Sequence, residues 1–435
     1  MMKAKLREIF TETLAELSLE QVIVDRLHSE DGVLTIADER IVLSEYAKII
    51  VVAIGKAAHP MARGFVERVA PARVSGVVVG PVSAEAPPYF VEYVGGHPYP
   101  NTASFHAASV VEELLDDLHE KHLLVTLLSG GGSAICEKPV DPSISEADMG
   151  GIFEALVTCG ADIVQMNVVR KHFSAIKGGR LAQRAHPARQ ITLYVSDVPA
   201  DQPSSVASGP TMPDPSTVED CRRIVEQIGI RDRLPASALA LLAGDMPETP
   251  KPGDAVFADS TYHSLLDNSH ALAAVERRAE AAGWVVETDL SVDDLPLAQA
   301  ADQLLARLED LRLKHPGQTV AVMTGGELSS PVTGDGRGGR NQAFVLECVP
   351  RIAGESVAVI SAGTDGIDGN SPAAGAVADG HTASRAADLG MEKDDYAARS
   401  DSYAFFAKLG DVLEIGPTGN NVRDVRLLVA SPRPR

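Results

Sequence analysis

Short apolar runs recur along the chain, and several of them end in Gly, Ser or Asp. The clearest runs cover residues 48–55, 74–80, 122–132, 190–197, 319–327 and 357–366. Nearly continuous apolar character is typical of strands buried on both faces of a parallel sheet. Segments with helical spacing, such as residues 104–122 and 269–283, lie between them. Strands that alternate with helices predict an α/β fold with largely parallel, Rossmann-like sheets.

Two irregular stretches interrupt this pattern in the middle of the chain. Residues 198–220 are dense in Pro, Ser and Asp, and the Pro-rich residues 245–254 are typical of a linker. With 435 residues the chain has room for two or three domains, since a domain has on the order of 150 residues. We therefore predict an N-terminal α/β domain over residues 1–240 and a C-terminal α/β domain over residues 241–435.

Charge and cysteine usage narrow the class of protein. The chain has 60 acidic and 39 basic residues, a formal net charge of -21, which argues against nonspecific nucleic-acid binding. Its four scattered cysteines favour a reducing compartment. The N-terminal residues show the spacing of an amphipathic helix rather than a signal peptide, and no apolar run approaches the ~20 residues of a membrane span. We expect a cytoplasmic protein without membrane or nucleic-acid partners.

A lysine follows directly after the first long apolar run. Gly55 and Lys56 stand between a predicted strand and a predicted helix. An ammonium at that place, together with amides at a helix start, is suited to a phosphate or carboxylate. The segment is not a Walker A loop, because Ala57 stands where that motif has the Ser or Thr that binds Mg²⁺. A surface lysine after a turn is the alternative.

Two further glycine-rich segments are candidates for anion binding. The first follows a buried strand and consists of small residues: Ser129, Gly130, Gly131, Gly132 and Ser133. Glycines let backbone amides approach phosphate oxygens, and serine hydroxyls add donors. The second combines basic side chains with a glycine pair: Arg170, Lys171, His172, Lys177, Gly178, Gly179 and Arg180. A flexible turn and a solvated helix face are the respective alternatives.

Carboxylates at two predicted strand ends are candidate metal ligands. Asp197 ends one apolar run and Asp201 follows four residues later, while Asp365 and Asp368 follow another run. Mg²⁺ prefers one or two carboxylates together with substrate phosphates and water. Helix capping and turn formation are the alternative roles.

The segment 333–342 contains a G-x-G-x-x-G pattern. As a dinucleotide fingerprint it is weak, because no strand runs directly into its glycines. Arg337 and Arg340 in this segment are better suited to grip a carboxylate or phosphate through paired hydrogen bonds. His97 lies in a Pro-rich turn, where a structural role is favoured.

Taken together, these segments resemble the type II glycerate kinase family. The blocks that carry the resemblance run in order along the chain: 53–58, 95–101, 127–134, 166–182, 196–211, 324–342, 361–377 and 416–424. The resemblance implies two α/β domains with the active site in the cleft between them. It also implies ATP and Mg²⁺ as co-substrates, and phosphate transfer to the 2-hydroxyl of D-glycerate. Lys56 and Arg340 match the lysine and arginine expected at the active centre.

Under this hypothesis the Ser129–Ser133 loop and the Lys177–Arg180 turn cradle the ATP phosphates, and Mg²⁺ lies near Asp197. Lys56 and Arg340 hold the glycerate carboxylate or the γ-phosphate, and the sequence does not decide which cation takes which anion. Asp197 or Asp365 would accept the proton of the acceptor hydroxyl, and Asp365 is also counted among the substrate-binding residues.

Two other functions remain open from the sequence alone. Family members have also been labelled hydroxypyruvate reductases, which would need a nicotinamide site. A non-catalytic binder of small organic anions would use the same basic, glycine-rich loops without chemistry. The oligomeric state stays open as well, with a homodimer as one option.

Overall fold

The computed structural model describes residues 2–69, 74–198 and 202–433. The chain forms two compact units. The first unit is Leu19–Leu265, and the second unit combines the residues up to Ser18 with those from Leu266 onward. Within the described residues, each unit contains a six-stranded sheet. The predicted α/β fold class is confirmed.

Helices and strands alternate through most of the chain. The α-helices are α1 (Met2–Glu16), α2 (Leu19–Arg26), α3 (Ala58–Val69), α4 (Thr102–Asp116), α5 (Gly132–Ile135), α6 (Glu146–Val157), α7 (Ile163–Phe173), α8 (Arg180–Ala185), α9 (Val218–Gln227), α10 (Ala236–Ala243), α11 (Asn268–Ala281), α12 (Leu297–Lys314), α13 (Arg340–Arg351), α14 (Thr382–Asp388), α15 (Lys393–Ala398) and α16 (Ser402–Leu409). Short 3₁₀ helices cover Leu43–Glu45, Pro203–Ser208, Arg231–Arg233 and Ala255–Phe257.

The strands include all six that the apolar runs predict. In chain order they are β1 (Leu27–Glu30), β2 (Val33–Ile36), β3 (Glu39–Val42), β4 (Lys48–Ile54), β5 (Val74–Gly80), β6 (Phe90–Val94), β7 (His122–Leu128), β8 (Arg189–Val195), β9 (Ser260–Leu266), β10 (Val285–Thr288), β11 (Val320–Thr324), β12 (Val357–Gly363), β13 (Gly375–Asp379), β14 (Val412–Leu413) and β15 (Asp424–Ala430). The apolar runs correspond to β4, β5, β7, β8, β11 and β12.

The main sheet of the first unit has the strand order β6-β5-β4-β7-β8-β9. The pairings of β4 with β5 and β7, of β5 with β6 and of β7 with β8 are parallel. Their register aligns Ile54 with Leu128, and Leu128 with Tyr194. The carboxyl ends of β4, β7 and β8 therefore meet at one edge, where open α/β sheets bind ligands. A small antiparallel sheet, β1-β2-β3, belongs to the same unit.

Helix α7 of the first unit belongs to an apolar core outside the main sheet. A capping box of Asp162 and Gln165 starts the helix, because the two side chains satisfy amides that have no partner within it. Val169 and Phe173 then pack with residues of α6, α9 and α10. This packing fixes which face of α7 remains for polar contacts.

The sheet of the second unit is mixed. Its order is β10-β11-β15-β12-β13-β14, and only the pairing of β10 with β11 is parallel among the described strands. The last strand, β15, lies between β11 and β12 and runs antiparallel to both. The prediction of largely parallel strands thus describes the first unit but not the second, because β15 enters between β11 and β12 and because β12, β13 and β14 follow one another as antiparallel neighbours.

The structure also corrects the domain boundary predicted at residue 240. Residues 241–265 stay with the first unit, where β9 is the edge strand of its main sheet. The segment 245–254 is no linker, because Thr249 Oγ1 donates to buried Asp214 (2.9 Å) and Asp214 N–H donates to Pro250 O (3.0 Å). Those contacts bind the Pro-rich segment to the first unit.

The N-terminal helix belongs to the second unit rather than to the first. Helix α1 packs against α11, β12 and β13. Lys3 Nζ donates to Asp411 Oδ1 (2.9 Å), and Leu17 O accepts from Asn420 Nδ2 (2.6 Å). No helix in the described part of the chain has the length and apolar character needed to cross a membrane.

Candidate functional site

The loops that follow β4 and β7 are bonded to each other at the carboxyl edge of the first unit's sheet. Lys56 N–H donates to Gly130 O (2.9 Å), and Ala57 N–H donates to Ser129 Oγ (3.0 Å). Gly55 has a φ of +126°, and a Cβ there would collide with Ser129. Only glycine fits that position, so the sequence Gly-Lys sets both the turn and the start of the lysine side chain.

Three side chains of different chemistry surround the Ser129–Ser133 loop. A Cβ at Gly130 would collide with Asp197 Oδ2. A Cβ at Gly131 would lie 3.1 Å from the ring of His97 and 3.2 Å from Lys56 Cγ. The structure therefore brings together the predicted loop, Lys56 and Asp197. It adds His97, which the sequence placed only in a turn.

The segment that precedes Gly209 packs on this loop with a strained backbone. Ala207 and Ser208 have φ values of +49° and +58°, the left-handed region that costs a non-glycine residue roughly 1–3 kcal/mol. A Cβ at Gly132 would come within 2.6 Å of Ala207 Cβ. Ser208 Oγ lies 2.7 Å from Ser133 Oγ. Strain of this kind concentrates at functional sites, and no sequence pattern had indicated it.

The charge state of His97 follows from its surroundings. Burial lowers its pKa, and the positive charges of Lys56 and Arg170 lower it further. The ring is therefore neutral at pH 7. The Lys56 side chain is exposed, and it makes no ion pair or hydrogen bond with the described residues. Its ammonium is available to a ligand.

The predicted role of Lys177 requires a correction. Its ammonium is fully buried and donates to Glu137 Oε2 (2.6 Å) and Cys136 O (3.2 Å). Ser174 Oγ donates to the same carboxylate (2.5 Å). A lysine that is closed to solvent and already paired does not cradle a phosphate.

Arg180 is committed to the protein backbone in the same way. Its guanidinium donates to the carbonyls of Ser174 (2.9 Å), Pro247 (2.9 Å) and Glu248 (3.2 Å). Burial lowers its pKa to about 10. This arginine thus holds the Pro-rich segment in place, and its predicted contact with ATP is corrected as well.

The glycine pair of this turn supports the strained segment. Gly178 and Gly179 have φ values of +58° and +84°. Their N–H groups donate to Ser208 O (3.1 Å) and Gly209 O (2.8 Å). The turn therefore acts on the candidate site through the backbone of residues 208–209, not by direct contact with a nucleotide.

In the second unit, two carboxylates fix Arg340 at the start of α13. Its Nε and Nη2 donate to Asp424 (2.6 and 3.1 Å), and Nη1 lies 2.9 Å from Glu327 Oε2. Asp424 is buried and also accepts from Arg426 Nη2 (2.8 Å). Although burial opposes ionisation, Arg426 and Arg340 keep the pKa of Asp424 below its usual value. The guanidinium is held in one orientation, and the Arg340 side chain is 35% exposed.

Asp368 and Asp365 have different surroundings. Asp368 is buried and accepts from the N–H groups of Asn341 (3.0 Å) and Gln342 (2.8 Å), so it caps α13. Burial raises its pKa to about 6. Asp365 follows β12 and is half-buried, and its Oδ1 accepts from Ile367 N–H (3.0 Å). Capping thus accounts for Asp368, while Asp365 stays a candidate.

Each unit has a cavity of ligand size. In the second unit, a cavity of about 640 Å³ is lined by Gly338, Arg340, Asp365 and Tyr396, among others. In the first unit, a cavity of about 850 Å³ is lined partly by α4 and Lys138, and its lining does not include Lys56, Asp197 or the glycine loop. The larger cavity is thus separate from the candidate chemistry.

Carboxylates in the described part of the chain do not cluster as metal ligands. No group of three or more His, Cys, Asp or Glu side chains there has the arrangement of a metal site. Asp201, the predicted companion of Asp197, lies outside the described residues.

Comparison with known proteins extends these observations. Residues 5–243 match a family described as a domain of unknown function, DUF4147, and residues 320–424 match the MOFRL family. A D-glycerate 2-kinase of Thermotoga maritima is 36% identical over 383 residues, which cover 87% of this chain and 89% of the relative. A protein of Agrobacterium vitis, named provisionally as a hydroxypyruvate reductase, is 36% identical over 88% of this chain and 87% of its own.

The fold agrees with these matches. A crystal structure of glycerate kinase from Thermotoga maritima superposes with a TM-score of 0.84 at 31% identity and covers 99% of both chains. The DUF4147 match alone covers more than half of the sequence. The chain therefore belongs to the glycerate 2-kinase family.

Proposed function

We propose that this protein is an ATP-dependent glycerate 2-kinase, which transfers the γ-phosphate of ATP to the 2-hydroxyl of D-glycerate and releases 2-phosphoglycerate and ADP. One observation carries the proposal. In a chain that aligns with a D-glycerate 2-kinase over 87% of its length, an ion-pair-free lysine, a glycine-serine loop and a carboxylate converge at the ends of parallel strands.

Phosphoryl transfer depends mainly on positioning and on stabilisation of negative charge. Gly130, Gly131 and Ser133 of the Ser129–Ser133 loop are partly exposed, so their backbone amides and the Ser133 hydroxyl can meet phosphate oxygens. Lys56 adds an exposed positive charge beside that loop. We assign the ATP phosphates to this loop and Lys56 to the charge that develops on the transferring group.

Arg340 is the second cation in the proposed mechanism. Asp424 and Glu327 set the plane of its guanidinium before a ligand binds, which reduces the entropy lost on binding. We assign it, together with Asp365, to the substrates. A carboxylate close to the acceptor hydroxyl would take its proton, and Asp197 and Asp365 are the candidates.

The residues at the glycine loop are compatible with Mg²⁺. The ion prefers near-octahedral oxygen ligands, usually one or two carboxylates with phosphates and water. Asp197 Oδ2 lies directly against Gly130, so a cation there would meet both the carboxylate and phosphates held by the loop. Bound Mg²⁺ would neutralise charge on the phosphate oxygens. The absence of a larger carboxylate cluster among the described residues agrees with a mode in which substrates supply most ligands.

A cytoplasmic location is part of the same proposal. The four cysteines are unpaired in the structure, and Cys136, Cys221 and Cys348 are buried. Free, buried thiols suit a reducing compartment, where ATP is also supplied.

Hydroxypyruvate reduction is the second candidate function, since a relative carries that name. A nicotinamide dinucleotide would place its pyrophosphate at a glycine-rich helix start. At the G-x-G-x-x-G pattern of this chain, that helix start is α13, and Asp368 already accepts from its first amides. The pyrophosphate would have to displace a buried carboxylate, which disfavours the reductase.

ADP release measured with purified protein, ATP and D-glycerate tests the proposal. We expect release that requires both glycerate and Mg²⁺. A parallel mixture of protein, NADH and hydroxypyruvate should show no loss of NADH absorbance. Glycerate-independent ADP release, or NADH consumption without kinase activity, would overturn the proposal. No activity in either assay would also overturn it and would leave the non-catalytic binder of small anions.

A further inference from the structure

Arg170 on α7 is a partly buried cation, and no carboxylate among the described residues pairs with it. In the described part of the chain its guanidinium makes no ion pair, and its Nε is closed to solvent without a hydrogen-bond acceptor. The guanidinium lies 5.2 Å from the ring centre of Phe153. A buried charge is expensive unless an opposite charge and hydrogen bonds compensate it. The residue therefore calls for a partner that the described chain does not supply.

Glu137 does not fill this role. Its charge acts on Arg170 from a distance, but its oxygens accept from Lys177 and Ser174, and from the N–H of Lys138 (2.8 Å). Within the described residues no acceptor stands at hydrogen-bond distance from Arg170. Because the Arg170 side chain is only partly buried, it remains open to an anion from outside the described residues.

Asn167 lies three residues earlier on α7, a spacing that places both side chains on one face of the helix. It is 2% exposed. Its Oδ1 accepts from Ser208 Oγ (3.0 Å), whereas its Nδ2 has no acceptor. Buried donors without a partner are rare in native proteins. A buried water would satisfy this amide, whereas an oxyanion within reach of both side chains would accept from the amide and also neutralise the charge of Arg170.

Both residues connect to the glycine loop. Asn167 reaches it through Ser208, whose hydroxyl meets that of Ser133. Arg170 lies within electrostatic reach of His97, whose ring packs against Gly131 beside Lys56. The strained backbone of Ala207 and Ser208 holds this arrangement in place. The two unpartnered groups thus belong to the surroundings of the loop rather than to a separate core.

The neighbouring basic residues of α7 are already paired. Lys171 Nζ lies 3.2 Å from buried Asp214, and His172 Nδ1 lies 2.8 Å from Val168 O. Lys177, Arg180 and Arg184 are also committed, and among the described residues the buried Nε2 of His172 has only Glu248 Oε2 nearby, at 3.7 Å. Arg170 is therefore the permanently charged member of the basic segment 166–185 that makes no ion pair or hydrogen bond within the described part of the chain.

We infer that Arg170 and Asn167 form, with Lys56 and the Ser129–Ser133 loop, a subsite for an oxyanion of the substrates. The inference rests on the proposed kinase function. Two sources offer that chemistry, the phosphates of ATP and the carboxylate of glycerate. The guanidinium would pair with the anion through parallel hydrogen bonds, and the amide of Asn167 would donate one more.

Steady-state kinetics of Arg170→Gln and Asn167→Ala, measured with both substrates varied, test this subsite. We expect kcat/KM to fall about 10- to 100-fold for Arg170→Gln, as is typical when a hydrogen-bonded charge is removed, and less for Asn167→Ala. A rise in KM for ATP identifies a phosphate as the ligand, and a rise in KM for glycerate identifies the carboxylate. Arg223→Gln is the matched control, because Arg223 is an exposed arginine of α9 in the same unit.

A purely structural role for Arg170 predicts a different pattern. Removal of an uncompensated buried charge should leave the melting temperature unchanged or raise it, whereas loss of a structural contact should lower it. A lower melting temperature with both KM values unchanged would overturn the inference. ADP affinity and D-glycerate affinity from calorimetry separate the two proposals. If the wild-type protein shows no glycerate-dependent turnover, weaker binding of either ADP or D-glycerate by Arg170→Gln still supports the subsite, and equal binding of both ligands by the two proteins overturns it.

Discussion

Lys56 and Arg340 are the two cations that the family resemblance assigns to the active centre, and the protein holds them in opposite ways. The Lys56 backbone is fixed by Gly130, but its ammonium has no ion pair in the described part of the chain. Arg340 makes ion pairs with Asp424 and Glu327 before any ligand is present. The lysine is thus suited to follow a charge that moves during transfer, and the arginine to fix a group that does not.

The largest effect is expected at the lysine. Lys56→Ala should lower kcat/KM by about 10²–10³-fold, since it removes a stabiliser of developing charge. Its thermal unfolding should match that of the wild type because the ammonium makes no ion pair or hydrogen bond with the described residues. Lys48→Ala, at an exposed position of β4, is the control and should keep full activity. A Lys56→Ala enzyme with more than about a tenth of wild-type kcat/KM would remove Lys56 from the site.

A comparable loss of kcat/KM, about 10²-fold, is expected for Arg340→Ala, but with a stability cost that Lys56→Ala lacks. Asp424 loses one of its two arginine partners and keeps the other, Arg426. The protein should therefore fold with a lower melting temperature, which calorimetry measures. If Arg340→Ala matched Lys56→Ala in stability, the contrast between the two cations would be wrong.

Lys177 offers a control for both cations because its ammonium forms a buried ion pair with Glu137 inside the first unit. Lys177→Met should destabilise the protein by about 3–5 kcal/mol, since it leaves Glu137 buried without its partner. Lys177→Met combined with Glu137→Gln should recover much of that loss in denaturant titrations. Below the unfolding transition, kcat/KM of the double variant should stay within about threefold of wild type. A loss of kcat/KM as large as that of Lys56→Ala would contradict the correction and support a role for Lys177 in ATP binding.

The smallest effect concerns the helix that carries Arg340. Because the pKa of Asp368 is raised to about 6 in the folded protein, its protonated form is favoured by folding. The stability from this group is complete at acidic pH and is lost as pH rises through about 6. The free energy of unfolding of the wild type minus that of Asp368→Asn should decline between pH 4 and pH 7, by on the order of 3 kcal/mol at most. A difference that grows with pH would contradict the assignment.

The sequence predicted the features that depend on neighbouring residues and missed those that depend on contacts between distant segments. Continuous apolar runs indicated β4, β7 and β8, and so placed Gly55, Ser129 and Asp197 at one sheet edge. The position of β15 was not predictable in this way, because strand periodicity does not specify the pairing partner. The DUF4147 match ends at residue 243, close to the predicted boundary, whereas the compact unit runs to Leu265.

The sequence did not predict which basic residues are buried and paired with carboxylates and which remain available to a ligand. Lys177 and Arg170 belong to the same basic segment. Lys177 pairs with Glu137, 40 residues earlier in the chain, whereas Arg170 pairs with none of the described residues, and the segment itself does not reveal this difference. The left-handed backbone of Ala207 and Ser208 has no sequence signature, since neither is glycine. The cleft between domains that the family resemblance implies stays a prediction.

The identity of the phosphorylated product tests the central claim most directly. A cation that holds the glycerate carboxylate fixes the adjacent 2-hydroxyl more tightly than the terminal one, because fewer rotatable bonds separate them. Enolase consumes 2-phosphoglycerate but not the 3-phosphate isomer. Reaction of the purified protein with ATP, Mg²⁺ and D-glycerate, coupled to enolase without phosphoglycerate mutase, should give phosphoenolpyruvate at once. Phosphoenolpyruvate that appears only after mutase is added would contradict the account.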